Sequence, residues 1–203
     1  LVWRTVGQVI PDHYRGCVPP DSIADLTQRA EMNALIRKRV HGLLAFKQAL
    51  ITATQMATGQ VRTALLTGLT GAGKTTLVAL MLRQMAFHWH QHWRDGVVDP
   101  NDRVSLDGDP IFQRLLCANR RDEAFTDVFV WTTSREIVAA QKKSAHYGSH
   151  LKKAPILVID DLGGEPTQVN IGGVDEILWA RHDGSRKLVT LLTTGYCNPA
   201  RED

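Results

Sequence analysis

The stretch Thr67–Leu82, TGLTGAGKTTLVALML, places three glycines, a lysine and a threonine pair directly before an apolar run of helical character. Within it, Gly68–Thr75 fits the pattern G-x-x-x-x-G-K-[ST], and the short apolar segment Val61–Thr67 ahead of it predicts a buried strand. A strand, a glycine-rich turn and a helix in this order set backbone N–H groups at a helix N-terminus, which is a ready site for anions. The stretch therefore predicts a cradle for a polyphosphate, with ATP as the expected ligand.

Each residue type in this cradle has a physical task. Glycine lets the backbone curl around phosphate oxygens without a Cβ in the way, and it tolerates positive φ. Lys74 is expected to reach the β- and γ-phosphates, and the Thr75 hydroxyl is expected to hold Mg²⁺. The alternative is a glycine-rich turn that binds nothing. The predicted ligand-binding residues of the turn are Gly68, Thr70, Gly71, Ala72, Gly73, Lys74, Thr75 and Thr76.

A second predicted strand, Pro155–Asp160 (PILVID), ends in the adjacent carboxylates of Asp160 and Asp161. Ligands of open α/β sheets bind outside the carboxyl ends of the strands, so we expect this pair beside the phosphates. Asp160 is expected to orient Mg²⁺ through its water shell. Asp161 is the predicted residue that polarises the attacking water, with Glu165 as the second choice. Helix capping or a solvated turn is the alternative use of such a pair.

Two threonines end a further predicted strand, Leu188–Thr194. A polar side chain at the tip of the strand between the two phosphate-contacting strands is placed to sense the γ-phosphate. Thr193 or Thr194 fits this role, and we nominate Thr194 as the catalytic residue. Threonine is also common in β-strands for reasons of packing alone.

Strand and helix patterns alternate along the chain, as in an α/β fold with a parallel sheet covered by helices on both faces. Asp21 or Ser22 is the predicted cap of the first helix, and Ser134 is the predicted cap of the helix after the second strand. The remaining predicted elements are a helical region from residue 21 to about 57 that breaks at Gly42, helices from 74 to about 93, from 135 to about 146 and over 175–182, and a strand at Val128–Thr132.

Two segments depart from this alternation. Residues 1–20 hold three prolines and no sustained period, so we predict an extended arm that docks near the nucleotide. Residues 21–203 then form the core of the domain, and the polar segment 94–125 within it predicts an insertion or long loop.

The composition suits one large domain. The chain has 203 residues, of which 43% are hydrophobic and 22% charged, and no apolar run approaches the roughly 18 residues that a membrane-spanning helix needs. Three cysteines, Cys17, Cys117 and Cys197, lie far apart and form no zinc spacing, which favours a cytoplasmic protein. A net charge of +3 permits a nucleic-acid partner without requiring one. Basic clusters such as Arg37-Lys38-Arg39 favour a solvated face or a groove for a phosphate backbone.

Taken in order, five segments resemble AAA+ ATPases, a family of P-loop NTPases, and within it the branch of bacterial helicase loaders and IstB-type transposition helpers. The resemblance spans most of the chain, and its most specific segments are the first and the fourth. The five segments are VIPDHYRG (Val9–Gly16), LLTGLTGAGKT (Leu65–Thr75), VFVWTTSREIV (Val128–Val138), APILVIDDLGGEP (Ala154–Pro166) and EILWARHDGSRKLVTLLTTG (Glu176–Gly195).

The resemblance implies further features of the site. In such proteins the arm packs near the adenine, which here implies Ile10 and Tyr14, and ATP is bound between subunits with an arginine from the neighbouring subunit. The chain departs from the family in having Gly195 where a sensor asparagine is usual and His13 where arginine or lysine is usual. It also ends at Asp203, before the expected last strand, arginine finger and helical lid.

The function expected from these patterns is that of an ATP-hydrolysing protein that assembles into an oligomer on DNA or on a partner enzyme. No segment resembles a helix-turn-helix or a zinc finger, so binding of nucleic acid is expected to be largely independent of its sequence. The resemblance implies a transposase or a replicative helicase as the partner enzyme. No membrane partner is expected. Two alternatives remain: a nucleotide-binding switch or scaffold with little hydrolysis, and a small-molecule kinase built on the same phosphate cradle.

Overall fold

The computed structural model of the protein describes residues 2–40, 42–94, 129–141, 147–163, 172–183 and 188–195. Its helices are α1 (Val2–Val9), α2 (Leu26–Arg39), α3 (Leu43–Ala57), α4 (Lys74–Arg94), α5 (Ser134–Gln141), α6 (Tyr147–Lys153) and α7 (Gly172–His182). Its strands are β1 (Thr63–Thr67), β2 (Phe129–Thr133), β3 (Ile156–Leu162) and β4 (Val189–Thr194). Short 3-10 turns at Asp12–Tyr14 and Pro20–Ser22 lie between α1 and α2.

The four strands form one parallel sheet in the order β1-β4-β3-β2. The last of the described strands, β4, therefore lies between the strand that precedes the glycine-rich turn and the strand that carries the acidic pair, as predicted. It is buried along its whole length, whereas β1 forms an edge of the described sheet and alternates between exposed and half-buried residues. Since all strands run the same way, their carboxyl ends meet at one edge of the sheet.

Helices cover both faces of the sheet. In β3, Ile156 and Val158 pack on one side, and Leu157 and Ile159 pack on the other, because successive side chains of a strand point to opposite faces. The first side joins a core with α1, α3 and α4, and the second joins a core with α5, α6 and α7. The prediction of an α/β fold with a parallel sheet between two helical layers is confirmed.

The helix after the glycine-rich turn is the most deeply buried one described. Every residue from Thr76 to Arg83 in α4 is buried. This agrees with the sequence of this part of the helix, in which apolar residues occur on all sides rather than along one face. Further along α4, the indole of Trp89 donates a hydrogen bond to the Ala57 carbonyl at 3.1 Å and so ties α4 to the end of α3. The turn that precedes α4 is therefore attached to a buried part of the core.

The segment before α2 is packed on the core but is not an extended arm. Residues 2–9 form α1, and this part of the prediction is wrong because the prolines of the segment, at positions 11, 19 and 20, all follow the helix and interrupt only what comes after it. Val6 and Ile10, one helical turn apart, are fully buried in the core that contains α4.

The predicted break at Gly42 is confirmed, since this residue precedes α3 with a φ of 117°. The predicted cap of the preceding helix is wrong by a few residues. Asp25 caps α2 by accepting a hydrogen bond from the Gln28 N–H at 2.8 Å. Residues 20–22 form a separate 3-10 turn instead, because Pro19 and Pro20 favour a turn at that point.

A reciprocal pair of hydrogen bonds begins α5. The Thr133 hydroxyl accepts from the Glu136 N–H at 3.2 Å, and the Glu136 carboxylate accepts from the Thr133 N–H at 2.8 Å. This capping box replaces the predicted cap by Ser134, whose side chain is directed to β3 instead. The short helix α6 was not predicted, because its sequence YGSHLKK carries little apolar periodicity.

Some predicted features lie outside the described residues: the insertion at 94–125, apart from Arg94, and Glu165. Across the described parts of the chain, no helix combines the length and the apolar character that crossing a membrane requires.

Candidate functional site

The turn between β1 and α4 bends through three glycines with positive φ, Gly68 (148°), Gly71 (82°) and Gly73 (90°). Gly73 carries the strictest requirement. A Cβ at this position would overlap the carbonyl oxygen of Arg39 and lie 2.9 Å from the Cα of Val40. Glycine is therefore needed both for the backbone conformation and for the close approach of the end of α2.

Lys74 is the first residue of α4 and folds back over the turn. Its Nζ donates hydrogen bonds to the carbonyl oxygens of Gly68 at 2.7 Å and Leu69 at 2.9 Å. An ammonium group has three N–H donors, so one donor remains for an anion in front of the turn. The first N–H groups of α4 have no partner within the helix, and the lysine adds a full positive charge beside them.

The acidic pair lies opposite the turn, at the carboxyl end of β3. The Thr75 hydroxyl donates a hydrogen bond to Oδ1 of Asp160 at 3.2 Å, although the two residues are 85 positions apart. Asp160 is half-buried and Asp161 is exposed. The glycine-rich turn and the acidic end of β3 thus form one site.

Of the two threonines at the end of β4, Thr193 is the one that reaches the acidic pair. Its hydroxyl donates to Oδ1 of Asp160 at 2.5 Å and accepts from the Asp161 N–H at 2.9 Å. The Thr194 hydroxyl donates to the Leu162 carbonyl at 2.8 Å, and this residue does not line the site. Successive side chains of a strand point to opposite faces, so only one of the two threonines can approach the carboxylates.

The turn and the acidic pair border an open cleft of about 500 Å³, which is within the size range of small-molecule sites. Gly68 and Ala72 do not line this cleft: Gly68 contributes its carbonyl to Lys74, and Ala72 faces a separate groove beside β1. The predicted turn residues that do line it are Thr70, Gly71, Gly73, Lys74, Thr75 and Thr76.

The facing wall of the cleft comes from the segment before α2 and from the last turn of that helix. Tyr14 lines the cleft, and its ring packs edge-on against His13 with ring centroids 5.0 Å apart. Ile10 was nominated together with Tyr14, but it is fully buried in the core and does not line the cleft. It follows directly on α1 and shares the inward side of that helix with Val6.

Lys38 and Arg39 also line the cleft and were not predicted as site residues. Arg39 donates to the His13 carbonyl at 3.2 Å and to the Cys17 sulfur at 3.4 Å, so it ties the segment before α2 to the cleft wall. In the sequence these cations belong to the basic cluster Arg37-Lys38-Arg39 at the end of α2, for which a solvated face or a groove for a phosphate backbone was the expectation. Only the packing of this helix end on Gly73 brings them to the turn.

The oxygen donors of the site suit Mg²⁺. Asp160 and Thr75 offer a carboxylate and a hydroxyl 3.2 Å apart, and this cation is usually held by one or two side chains together with phosphates and waters. Within the described residues, no group of three or more His, Cys, Asp or Glu side chains could hold a metal ion. Asp160 and Thr75 could thus supply two oxygen ligands to a cation whose other ligands come from outside the protein.

Comparison with known proteins returns no match to a family model, to a curated protein or to a solved structure. The geometry of the site and the sequence patterns therefore remain the guides to function.

Proposed function

We propose that the protein binds ATP with Mg²⁺ in this cleft and hydrolyses it, as a P-loop ATPase of the AAA+ type. One observation carries the proposal: the Thr75 hydroxyl of the glycine-rich turn lies 3.2 Å from the Asp160 carboxylate at the end of β3. A phosphate cradle and a carboxylate at the edge of a parallel sheet are the two halves that a triphosphate–magnesium unit requires.

The residues have separate tasks in this reaction. Lys74 and the first N–H groups of α4 bind the β- and γ-phosphates, while Thr75 and Asp160 hold the cation, which neutralises charge on the phosphate oxygens. Asp161 accepts a proton from the attacking water. The water oxygen forms a bond to the γ-phosphorus as the bond from that phosphorus to the bridging oxygen breaks, which releases ADP and phosphate.

The wider function that we propose is nucleotide-dependent assembly on DNA or on a partner enzyme. It is supported by the resemblance to helicase loaders and transposition helpers, and by basic clusters on the surface, including exposed residues at the end of α2. The transposase and the replicative helicase both remain candidates for the partner enzyme.

A switch with little hydrolysis is a second candidate, and Gly195 favours it. This residue is exposed, lines the cleft directly after β4 and offers no side chain where the resembled family has an asparagine. A protein of this kind would bind ATP and change its assembly state without a substantial rate of turnover.

The first test is ATP binding by a Lys74→Ala variant, with Lys47→Ala as the control because Lys47 is exposed on α3 away from the cleft. Loss of a charge-assisted contact to the phosphates should weaken binding by about 100-fold or more. The measurement is titration with a fluorescent ATP analogue. Equal affinities of the two variants would contradict the proposed site.

The second test separates the two candidate functions. The ATPase is expected to release phosphate from ATP, faster in the presence of single- or double-stranded DNA, and to form a larger species with a non-hydrolysable ATP analogue. Phosphate release and light-scattering mass measure these properties. Binding and assembly without phosphate release would favour the switch.

A further inference from the structure

Asp161 has an unusual backbone. Among the described residues it is the only non-glycine residue with positive φ, at 60°. This left-handed conformation is unfavourable for an L-residue, somewhat less so for aspartate, and such strain persists only where the surrounding structure imposes it.

The register of the sheet shows where the strain comes from. Ile159 pairs with Leu192 and Leu162 pairs with Thr194, so the two aspartates share the space opposite the single residue Thr193. This is a β-bulge, which bends the strand locally and turns a side chain away from its regular direction. The extra residue interrupts the alternation of side chains between the two faces of the sheet, at the point where the acidic pair borders the cleft.

Two buried hydroxyls hold the Asp161 backbone in this conformation. The Thr193 hydroxyl accepts from the Asp161 N–H at 2.9 Å, and the Ser134 hydroxyl donates to the Asp161 carbonyl at 2.7 Å. Thr193 is 1% exposed and Ser134 is fully buried. One comes from the end of β4 and the other from the start of α5, so the peptide groups before and after the Cα of Asp161 are anchored to different elements.

The Asp161 side chain is free of this network. It is exposed and lines the cleft, while the hydroxyls beneath it bind only its backbone. A bulge that merely closed the sheet edge would not need to set an exposed carboxylate on the cleft side. The arrangement instead fixes the direction in which this carboxylate leaves the strand.

The geometry points to Thr193 and Ser134 as positioning residues for Asp161, which they hold in a left-handed backbone conformation so that its carboxylate faces the attacking water. This inference rests on the proposed hydrolysis. Neither residue contacts the substrate, and both act through the Asp161 backbone. Thr193 acts additionally on the cation ligand Asp160, whereas Ser134 acts on Asp161 alone.

The test is steady-state hydrolysis by Ser134→Ala, Thr193→Val and Thr193→Ser. Because a misplaced general base loses much of its contribution, the first two variants should lower kcat by about tenfold or more. Affinity for a non-hydrolysable ATP analogue without magnesium should stay within about threefold, since the turn and Lys74 bind the phosphates. Thr193→Ser keeps the hydroxyl and should recover most of kcat.

Thr190→Val is the matched control for loss of stability. This buried threonine lies at the other end of β4 and bonds Arg181 rather than the acidic pair. It should lower the thermal midpoint as much as Thr193→Val does, and leave kcat of the folded protein within about twofold of wild type. A comparable loss of kcat in Thr190→Val would mean that general destabilisation explains the result, and would overturn the inference.

A double-mutant comparison identifies the residue through which Ser134 acts. In an Asp161→Asn background, Ser134→Ala should cause little further loss, because the carboxylate that it positions is already gone. A full tenfold loss in that background would overturn the inference, as would unchanged kcat in the single variants. If the wild-type protein binds no ATP, the proposed function itself fails. If it binds ATP but releases no phosphate, the site stands and the positioning role fails.

Discussion

The two ends of β4 are built in opposite ways. At the carboxyl end, Thr193 links the carboxylate of Asp160 to the N–H of Asp161, beside an open cleft. At the amino end, Thr190 accepts a hydrogen bond at 2.9 Å from Arg181, which is 5% exposed. Both ends use a buried threonine hydroxyl, but only one of them faces solvent that a ligand can displace.

In the described part of the chain, Arg181 donates four hydrogen bonds, all of them to uncharged oxygens. Besides Thr190, it donates to the carbonyls of Leu151 at 2.8 Å, Ala154 at 2.6 Å and Val189 at 2.6 Å. Burial lowers the pKa of Arg181 to about 10, so the side chain remains protonated at neutral pH. It thereby joins the end of α6 and the start of β4 to α7.

The comparison separates a closed polar cluster from the candidate site. At Arg181 the polar groups are buried and bonded to one another, whereas the acidic end carries backbone strain and an exposed carboxylate, opposite a lysine that has one donor to spare. Backbone strain and unused hydrogen-bond donors destabilise a fold. They are expected at a site where a bound ligand accepts those hydrogen bonds. Substitutions at the two ends should therefore differ in what they change.

The largest expected effect is on stability, at the closed end. Arg181→Met leaves three carbonyls and a hydroxyl buried without their donor, so the free energy of unfolding should fall by about 3–5 kcal/mol. Urea unfolding measures this, and ATP affinity of the molecules that remain folded should be unchanged. Arg37→Met, at an exposed position of α2, should change stability by less than about 0.5 kcal/mol. If Arg181→Met lost ATP affinity but kept its stability, the amino end of β4 would belong to the ligand site, which would contradict this comparison.

A smaller loss of stability, accompanied by a loss of binding, is expected for Gly73→Ala. The new Cβ would overlap the Arg39 carbonyl at a φ of 90°, which should cost about 2–3 kcal/mol and displace the turn. Thermal unfolding and ATP titration measure the two consequences. Gly16→Ala is the control, because a Cβ there meets nothing within 4 Å. Full ATP affinity in Gly73→Ala would show that the cradle does not need this backbone.

The smallest effect on stability should come from Asp161, at the candidate site. Asp161→Gly and Asp161→Ala both remove the carboxylate and should both abolish turnover, but only glycine adopts the left-handed conformation freely. The glycine variant should therefore be more stable than the alanine variant by about 1 kcal/mol in urea unfolding. Equal stabilities would mean that the backbone at this position carries no strain.

Much of the fold was predictable because its signals are local. A few neighbouring residues are enough to predict the strand, turn and helix that follow Val61. The same holds for the apolar strand that ends in Asp160. The failures are also local in origin. The prolines after α1 favoured an extended segment, but they do not affect the residues that precede them. The predicted cap of α2 lies in a separate 3-10 turn, and Asp25 caps the helix.

The candidate site was predictable only in its two halves. The pattern Gly68–Thr75 and the acidic pair can be seen in the sequence, but it does not show which threonine of β4 faces the carboxylates. That choice depends on the strand register and on the bulge at Asp161. Lys38 and Arg39 reach the cleft only because a helix end packs on Gly73, a contact between positions more than 30 residues apart.

By itself, the amino-acid sequence determined the strand–turn–helix at Gly68–Thr75, the acidic end of β3 and the alternation that makes a parallel sheet. These follow from periodicity and from glycine and proline chemistry, which act over a few residues. Only the tertiary structure decided that Thr193 and Ser134 hold Asp161 in its left-handed conformation and that Arg181 closes the opposite end of β4. Such contacts depend on the register and packing of elements far apart in the chain, and no local pattern encodes them.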